Sequence, residues 1–181
     1  MVSNRTRGVY LICVYGHLLV SQACFWAWAA AFNHAGVIEI FGPDAPAHLL
    51  YSEIISIGVV LAATFVRDRN ELIGSDPRFA IRAAALQVAT AYSLLFLYLA
   101  ASKDTAISRI FAFSLAPVLY VALALTNLRL PGFIRRRMFN GEREERILLA
   151  GSGGGASKLA EWLRRKSLVG YHTIGRLTDE T

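Results

Sequence analysis

The segment of this chain with the clearest chemistry is Gly151-Ser152-Gly153-Gly154-Gly155-Ala156. It follows Arg146-Ile147-Leu148-Leu149-Ala150, a short apolar run with the look of a buried strand, and precedes a helical stretch over 157–168. Strand, G-x-G-x-x-A, helix is the context in which backbone cradles a phosphate. Gly151 permits the tight turn, Gly153 lets backbone approach an anion, and Ala156 is small enough for helix to pack on strand. The helix N-terminus would add free N–H groups and partial positive charge. A second strand over 171–177 and then Asp179 complete a β-α-β pattern. The candidate nucleotide-binding residues are therefore Gly151, Ser152, Gly153, Gly154, Ala156 and Asp179. Asp179 lies further from the glycines than the ~20 residues usual for a ribose-binding carboxylate. Two readings of the loop stay open: a nucleotide phosphate site, or a glycine turn needed only for helix–strand packing, which is preferred. No cofactor is expected of this chain.

Five other residues could carry chemistry. Glu53 is the one carboxylate well inside an apolar block, where a charge costs up to ~3 kcal/mol at mid-bilayer. It reads either as an ion or substrate contact or, preferably, as a protonated or hydrogen-bonded group with Arg109 as partner. His17 and His48 read as packing or interface residues. Cys13 and Cys24 share one helix at a separation no disulfide can bridge. No metal-ligand spacing, paired carboxylate or Ser/His/Asp set is visible, so no catalytic residue is assigned.

The elements that must position these residues are dominated by lipid. Hydrophobic residues make up 55% of the 181-residue chain, and they are concentrated before Leu130 in blocks at 9–32, 47–66, 79–101 and 106–128. Crossing a hydrocarbon layer of ~30 Å takes about 20 helical residues, and each block is that long. The expected fold is an all-α membrane bundle of four transmembrane helices followed by an incomplete α/β Rossmann-like βαβ unit. The domains are 1–130 for the bundle, 131–145 for a basic juxtamembrane linker, and 146–181 for the start of the Rossmann-like domain.

Lys+Arg number 19 against 13 Asp+Glu, and the arginines flank alternate ends of the blocks rather than gathering on a soluble face, which speaks for membrane orientation and against nucleic acid. Arg5, Arg7, Arg67, Arg69, Arg78, Arg82, Arg129, Arg135, Arg136 and Arg137 fall on one side, opposed by Lys103 and Arg109. Both termini are therefore expected in the cytoplasm of a multi-pass bacterial inner-membrane protein. Block one is longer than a signal-peptide core and is read as uncleaved, with Trp26 and Trp28 at its outer interface. Asp44-Pro46 and Asp76-Pro77 read as starts of blocks two and three, Pro117 as a kink in block four, and Pro131-Gly132 as its end. Ala23/Ala27/Ala31 and Ala85/Ala89/Ser93 are small-residue seams of the kind that let helices approach closely. The segment 133–139 reads as a stop-transfer flank or an interfacial stretch.

Four spans, a basic flank, then Arg146 to Ala156, Gly170-Tyr171 and Gly175-Arg176-Leu177-Thr178-Asp179 resemble one bacterial family. It is the front portion of the large polyprenyl-phosphate sugar-1-phosphate transferases of exopolysaccharide biosynthesis, including the undecaprenyl-phosphate glucose phosphotransferases. Ser108-Arg109 is similar to that family as well. The resemblance implies transfer of a sugar phosphate from a nucleotide sugar to a lipid phosphate. It places the chemistry in a C-terminal domain with an acidic dyad and Mg²⁺, to which nothing here corresponds. It further implies association with other copies of the chain. A lone βαβ unit of ~35 residues buries too little surface to stand alone, so the chain is expected to be the front part of a longer, catalytically complete protein. Thr178-Asp179 departs from the two acidic residues often found there. The neighbouring alternatives are the front part of a membrane-bound nucleotide-sugar 4,6-dehydratase and a stand-alone membrane adaptor.

Overall fold

A computed structural model describes residues 2–36, 45–65, 77–103, 108–138, 145–150 and 171–177. In hydrocarbon, every backbone N–H and C=O needs a partner within the protein, and a helix satisfies them locally. The chain does this four times: α1 (Val2–His34), α2 (Ala45–Phe65), α3 (Pro77–Ser102) and α4 (Arg109–Met138). Each contains a stretch long and apolar enough to cross a membrane: Gly8–His34, Ala47–Phe65, Pro77–Ser102 and Arg109–Ile134.

The helices overrun the apolar blocks because helix formation, once nucleated, continues into polar sequence at little cost. α1 thus extends back through Arg5 and Arg7. Pro77 occupies the first position of α3, where its missing N–H is no loss. α4 begins later than the apolar pattern suggests. Ser108 caps it: its backbone carbonyl accepts from Ala112 N at 3.0 Å and its Oγ from Phe111 N at 3.5 Å. Gly36, at φ 71°, closes α1 in the left-handed region that glycine adopts without strain. The helix-starting roles expected of Asp44 and Asp76 lie outside the described residues.

Pro131-Gly132 does not end α4, contrary to the sequence expectation; the helix passes through both to Met138. A proline costs one backbone hydrogen bond and a local clash, and a packed membrane bundle tolerates that. Residues 131–138, expected as linker, therefore belong to the helix.

The helices form a ring in which α1 touches α2 and α4, and α3 touches the same two. Neighbours run antiparallel. Tyr10 Oη donates to the Ala63 carbonyl at 3.4 Å while Gln22 Nε2 donates to that of Ser52 at 3.4 Å, so α1 ascends as α2 descends. The starts of α1 and α3 and the ends of α2 and α4 accordingly share one end of the bundle, here the basic end, with Arg78, Arg82, Arg129, Arg136 and Arg137.

Inward residues of α1 recur every fourth position, as Val9, Cys13, His17, Ser21, Phe25 and Ala29, and those of α4 do likewise, as Phe111, Leu115, Leu119, Leu123 and Asn127. These are the i±4 ridges through which two helices interlock. The seams expected from Ala23/Ala27/Ala31 and Ala85/Ala89/Ser93 face outward instead. Close approach is made elsewhere. A Cβ on Gly58 would collide with the Ala91 backbone, so α2 and α3 meet there with only hydrogen between them.

Beyond the bundle, β1 (Glu145–Ala150) and β2 (Tyr171–Leu177) pair in parallel. The register passes from Ile147↔Thr173 to Leu148↔Gly175, which leaves Ile174 as a bulge residue. Parallel strands need a crossover between them; residues 151–170, where the helix of the β-α-β pattern is expected, lie outside the described set.

Candidate functional site

The parallel pairing fixes one feature of the soluble part. Ala150 pairs with Leu177, so both strands finish at the same edge. The glycine segment starting at Gly151 leaves from that edge, and Asp179 follows two residues past the end of β2. In open α/β sheets, ligands bind outside the carboxyl ends of the strands. Gly151, Ser152, Gly153, Gly154, Ala156 and Asp179 themselves lie outside the described residues.

Within the bundle, α1 and α2 enclose a groove of about 470 Å³ on the outer surface. Leu18, Ile57, Val60 and Leu61 give it apolar walls, while Gln22, Ser56 and Glu53 make one stretch polar. Glu53 is exposed, six residues into the Ala47–Phe65 span. At 1.5 Å per residue this is about 9 Å below the end of the span. The expected partnership with Arg109 is not formed. Arg109 sits at the start of α4, which packs on α1 and α3 rather than on α2, and no ion pair joins the two residues. Distance across the ring is the cause. The groove can receive an apolar chain along its walls and offers Glu53 as its one acidic group.

Gln22 supports this wall from beneath. Its Nε2 donates to Ser56 Oγ at 3.1 Å, and its Oε1 accepts from Trp26 Nε1 at 3.1 Å. Ser21 and Ser56 hydroxyls lie 3.0 Å apart across the α1–α2 contact. The Trp28 N–H likewise turns inward, to Ser114 Oγ at 3.0 Å on α4. Both indoles expected at the interface are thus held by their polar edges: Trp26 within α1 through Gln22, and Trp28 across to α4.

Most remaining hydroxyls are structural. Those of Ser52, Thr64, Ser102 and Thr126 donate to carbonyls one turn back in their own helices, at 2.8, 2.7, 2.8 and 2.7 Å. His48 is buried beside Tyr51 in an edge-to-face contact, with ring centroids 6.0 Å apart and planes at 73°. That is the packing role expected of it. Cys13 and Cys24 are free thiols. Among the described residues no three His, Cys, Asp or Glu side chains converge as a metal site would require.

Deeper in the core lie polar residues that the sequence reading passed over. Asn127 Nδ2 donates to Gln87 Oε1 at 2.9 Å, with both side chains buried, and His17 lies beside Asn127. The available signal was their chemistry alone: uncharged amides amid apolar blocks, which in lipid serve to join helices.

Comparison with protein-family models, with curated proteins and with solved structures finds no match to this chain.

Proposed function

We propose that this chain is the membrane-anchoring front part of a polyprenyl-phosphate sugar-1-phosphate transferase of exopolysaccharide biosynthesis, inactive by itself. The observation that carries the reading is the order of parts. Four membrane-spanning helices end at an arginine-rich face, and the chain then enters two parallel strands that flank a Gly-Ser-Gly-Gly-Gly-Ala segment. A lipid-phosphate acceptor lives in the membrane and a nucleotide-sugar donor in the cytoplasm, so an enzyme joining them needs this kind of junction. The arginine-rich end faces the cytoplasm under the positive-inside rule. The membrane is the bacterial inner membrane, and both termini are cytoplasmic.

The test compares membranes from cells that carry the gene with membranes from cells lacking it. Each is given a radiolabelled UDP-sugar and polyprenyl phosphate. Loss of labelled lipid on deletion, restored by complementation, is expected; equal labelling in both overturns the proposal. Appearance of a 4-keto-6-deoxy nucleotide sugar instead would move the chain to the dehydratase class. The purified chain is expected to turn over neither substrate. A periplasm-dependent reporter fused within residues 33–46 is expected to be active, and an inactive fusion reverses the topology.

A further inference from the structure

The three helices α1, α3 and α4 bring His17, Gln87 and Asn127 together in the bundle core, and this cluster is incompletely satisfied. His17 is 2% exposed, Gln87 1% and Asn127 5%. Asn127 spends one N–H on Gln87. Neither ring nitrogen of His17 has a well-aligned hydrogen-bond partner, although the Asn127 side chain lies within reach of the ring, and Gln87 Nε2 has none. Pro131 stands four residues after Asn127 and has no N–H, so the Asn127 backbone carbonyl also lacks its helical donor. His17 lies nine residues inside the span that starts at Gly8, Gln87 ten inside that from Pro77, and Asn127 seven from Ile134. The cluster is therefore about 10–15 Å in from the basic end. At that depth lipid offers no hydrogen bonds, and each unmet buried polar group costs about 1–3 kcal/mol.

We propose that His17, Gln87 and Asn127 form a built site for ordered water inside the membrane-embedded core. The demand of the unmet groups selects the ligand. A neutral imidazole presents one donor and one acceptor, and the Gln87 amide nitrogen presents only donors. A metal cation would find no lone pair on Gln87 Nε2. A halide would accept from the N–H groups yet leave the imidazole lone pair unmet. Water both donates and accepts, and buried waters typically hold about three hydrogen bonds to such groups. The nearest neighbours along the helices are small. On the inward faces, Cys13 and Ser21 flank His17 one turn either way, and Ala83, Ala84 and Ala91 flank Gln87. The site holds the helices through a shared hydrogen-bonding centre, and it does so whatever reaction the soluble part serves.

The test is water-edited solid-state NMR on the full chain in lipid bilayers, with ¹⁵N-labelled histidine. His34, exposed beyond the end of α1's core, is the internal positive control. The His17 line is assigned by its loss in His17→Phe or, if that variant does not fold, by labelling that position alone. Magnetisation passing from water to the His17 ring is expected. A His17 line that receives none while His34 does overturns the proposal. In Gln87→Leu/Asn127→Leu, with helicity retained by circular dichroism, the transfer to His17 is expected to fall at least fivefold; unchanged transfer overturns the three-residue assignment. Exchanging chloride for sulfate is expected to leave the wild-type transfer unchanged, and a transfer that appears only once chloride is withdrawn would make the resting occupant an anion and overturn the choice of water.

Discussion

The two halves of the bundle core are held by different means. Toward the end opposite the arginines, rings interlock: Phe111 stands edge-on to both Phe25 and Phe32, with centroids 5.5 Å apart in each pair and planes at 82°. Tyr92 Oη reaches across from α3 to the Ala112 carbonyl at 2.7 Å. Toward the basic end, small residues Gly16, Gly58, Ala84 and Ala91 sit among aliphatic side chains such as Leu123, with Ser21, Ser56, Gln87 and Asn127 forming the cross-links. The difference teaches where adhesion comes from when the solvent is itself apolar. Burying a leucine gains little against lipid tails, so attraction must come from shape, as with the rings, or from backbone proximity and hydrogen bonds.

Substitutions in each half break or sharpen that contrast, and reversible unfolding in mixed detergent–SDS micelles reads all of them. Gly58→Leu should have the largest effect, because the new side chain meets the Ala91 backbone rather than a movable group; no cooperative unfolding transition is expected. Phe111→Ala leaves a hole beside the Phe25 and Phe32 rings and should cost about 3 kcal/mol. A cost below ~1 kcal/mol would mean that the rings fill space without holding the helices. Ser114→Ala strands the Trp28 N–H and should cost about 1 kcal/mol. Gly16→Ala places its methyl 2.5 Å from Leu130 Cδ2, the far end of a flexible side chain, so a loss below ~1 kcal/mol is expected. Leu19→Ala should change stability by about zero, since Leu19 is 67% exposed and its neighbours are lipid tails in both states. A loss above ~1 kcal/mol there would reveal a protein partner on that face.

The existence of four spans was legible because charge is excluded from whole blocks, a constraint that lipid imposes and a soluble core does not. Their inward faces were not legible. Leu19, mostly exposed, and Leu119, 1% exposed, are chemically the same residue. Lipid and core ask for the same side chains, so no polar stripe marks the outside as it would in water. Small residues misled for a related reason, since they permit close approach without requiring it. Gly58 makes such an approach, while Ala27 faces outward. Helix ends were misplaced wherever local helix continuation outlasted the apolar block, as at Arg5 and Pro131. For the candidate sites, the strand pair was foreseen at 146–150 and 171–177 and found at Glu145–Ala150 and Tyr171–Leu177. The buried His17–Asn127–Gln87 group was not foreseen, because its members come from three helices whose neighbours only the packing reveals.

The unbroken course of α4 through Pro131 limits how far the soluble strands can travel. With helix persisting to Met138 and β1 starting at Glu145, only residues 139–144 tether the two. At no more than ~3.6 Å per residue, that leash reaches about 25 Å. The start of β1 is thus held within that distance of the tip of α4, so the strand pair stays beside the bilayer face from which α4 emerges.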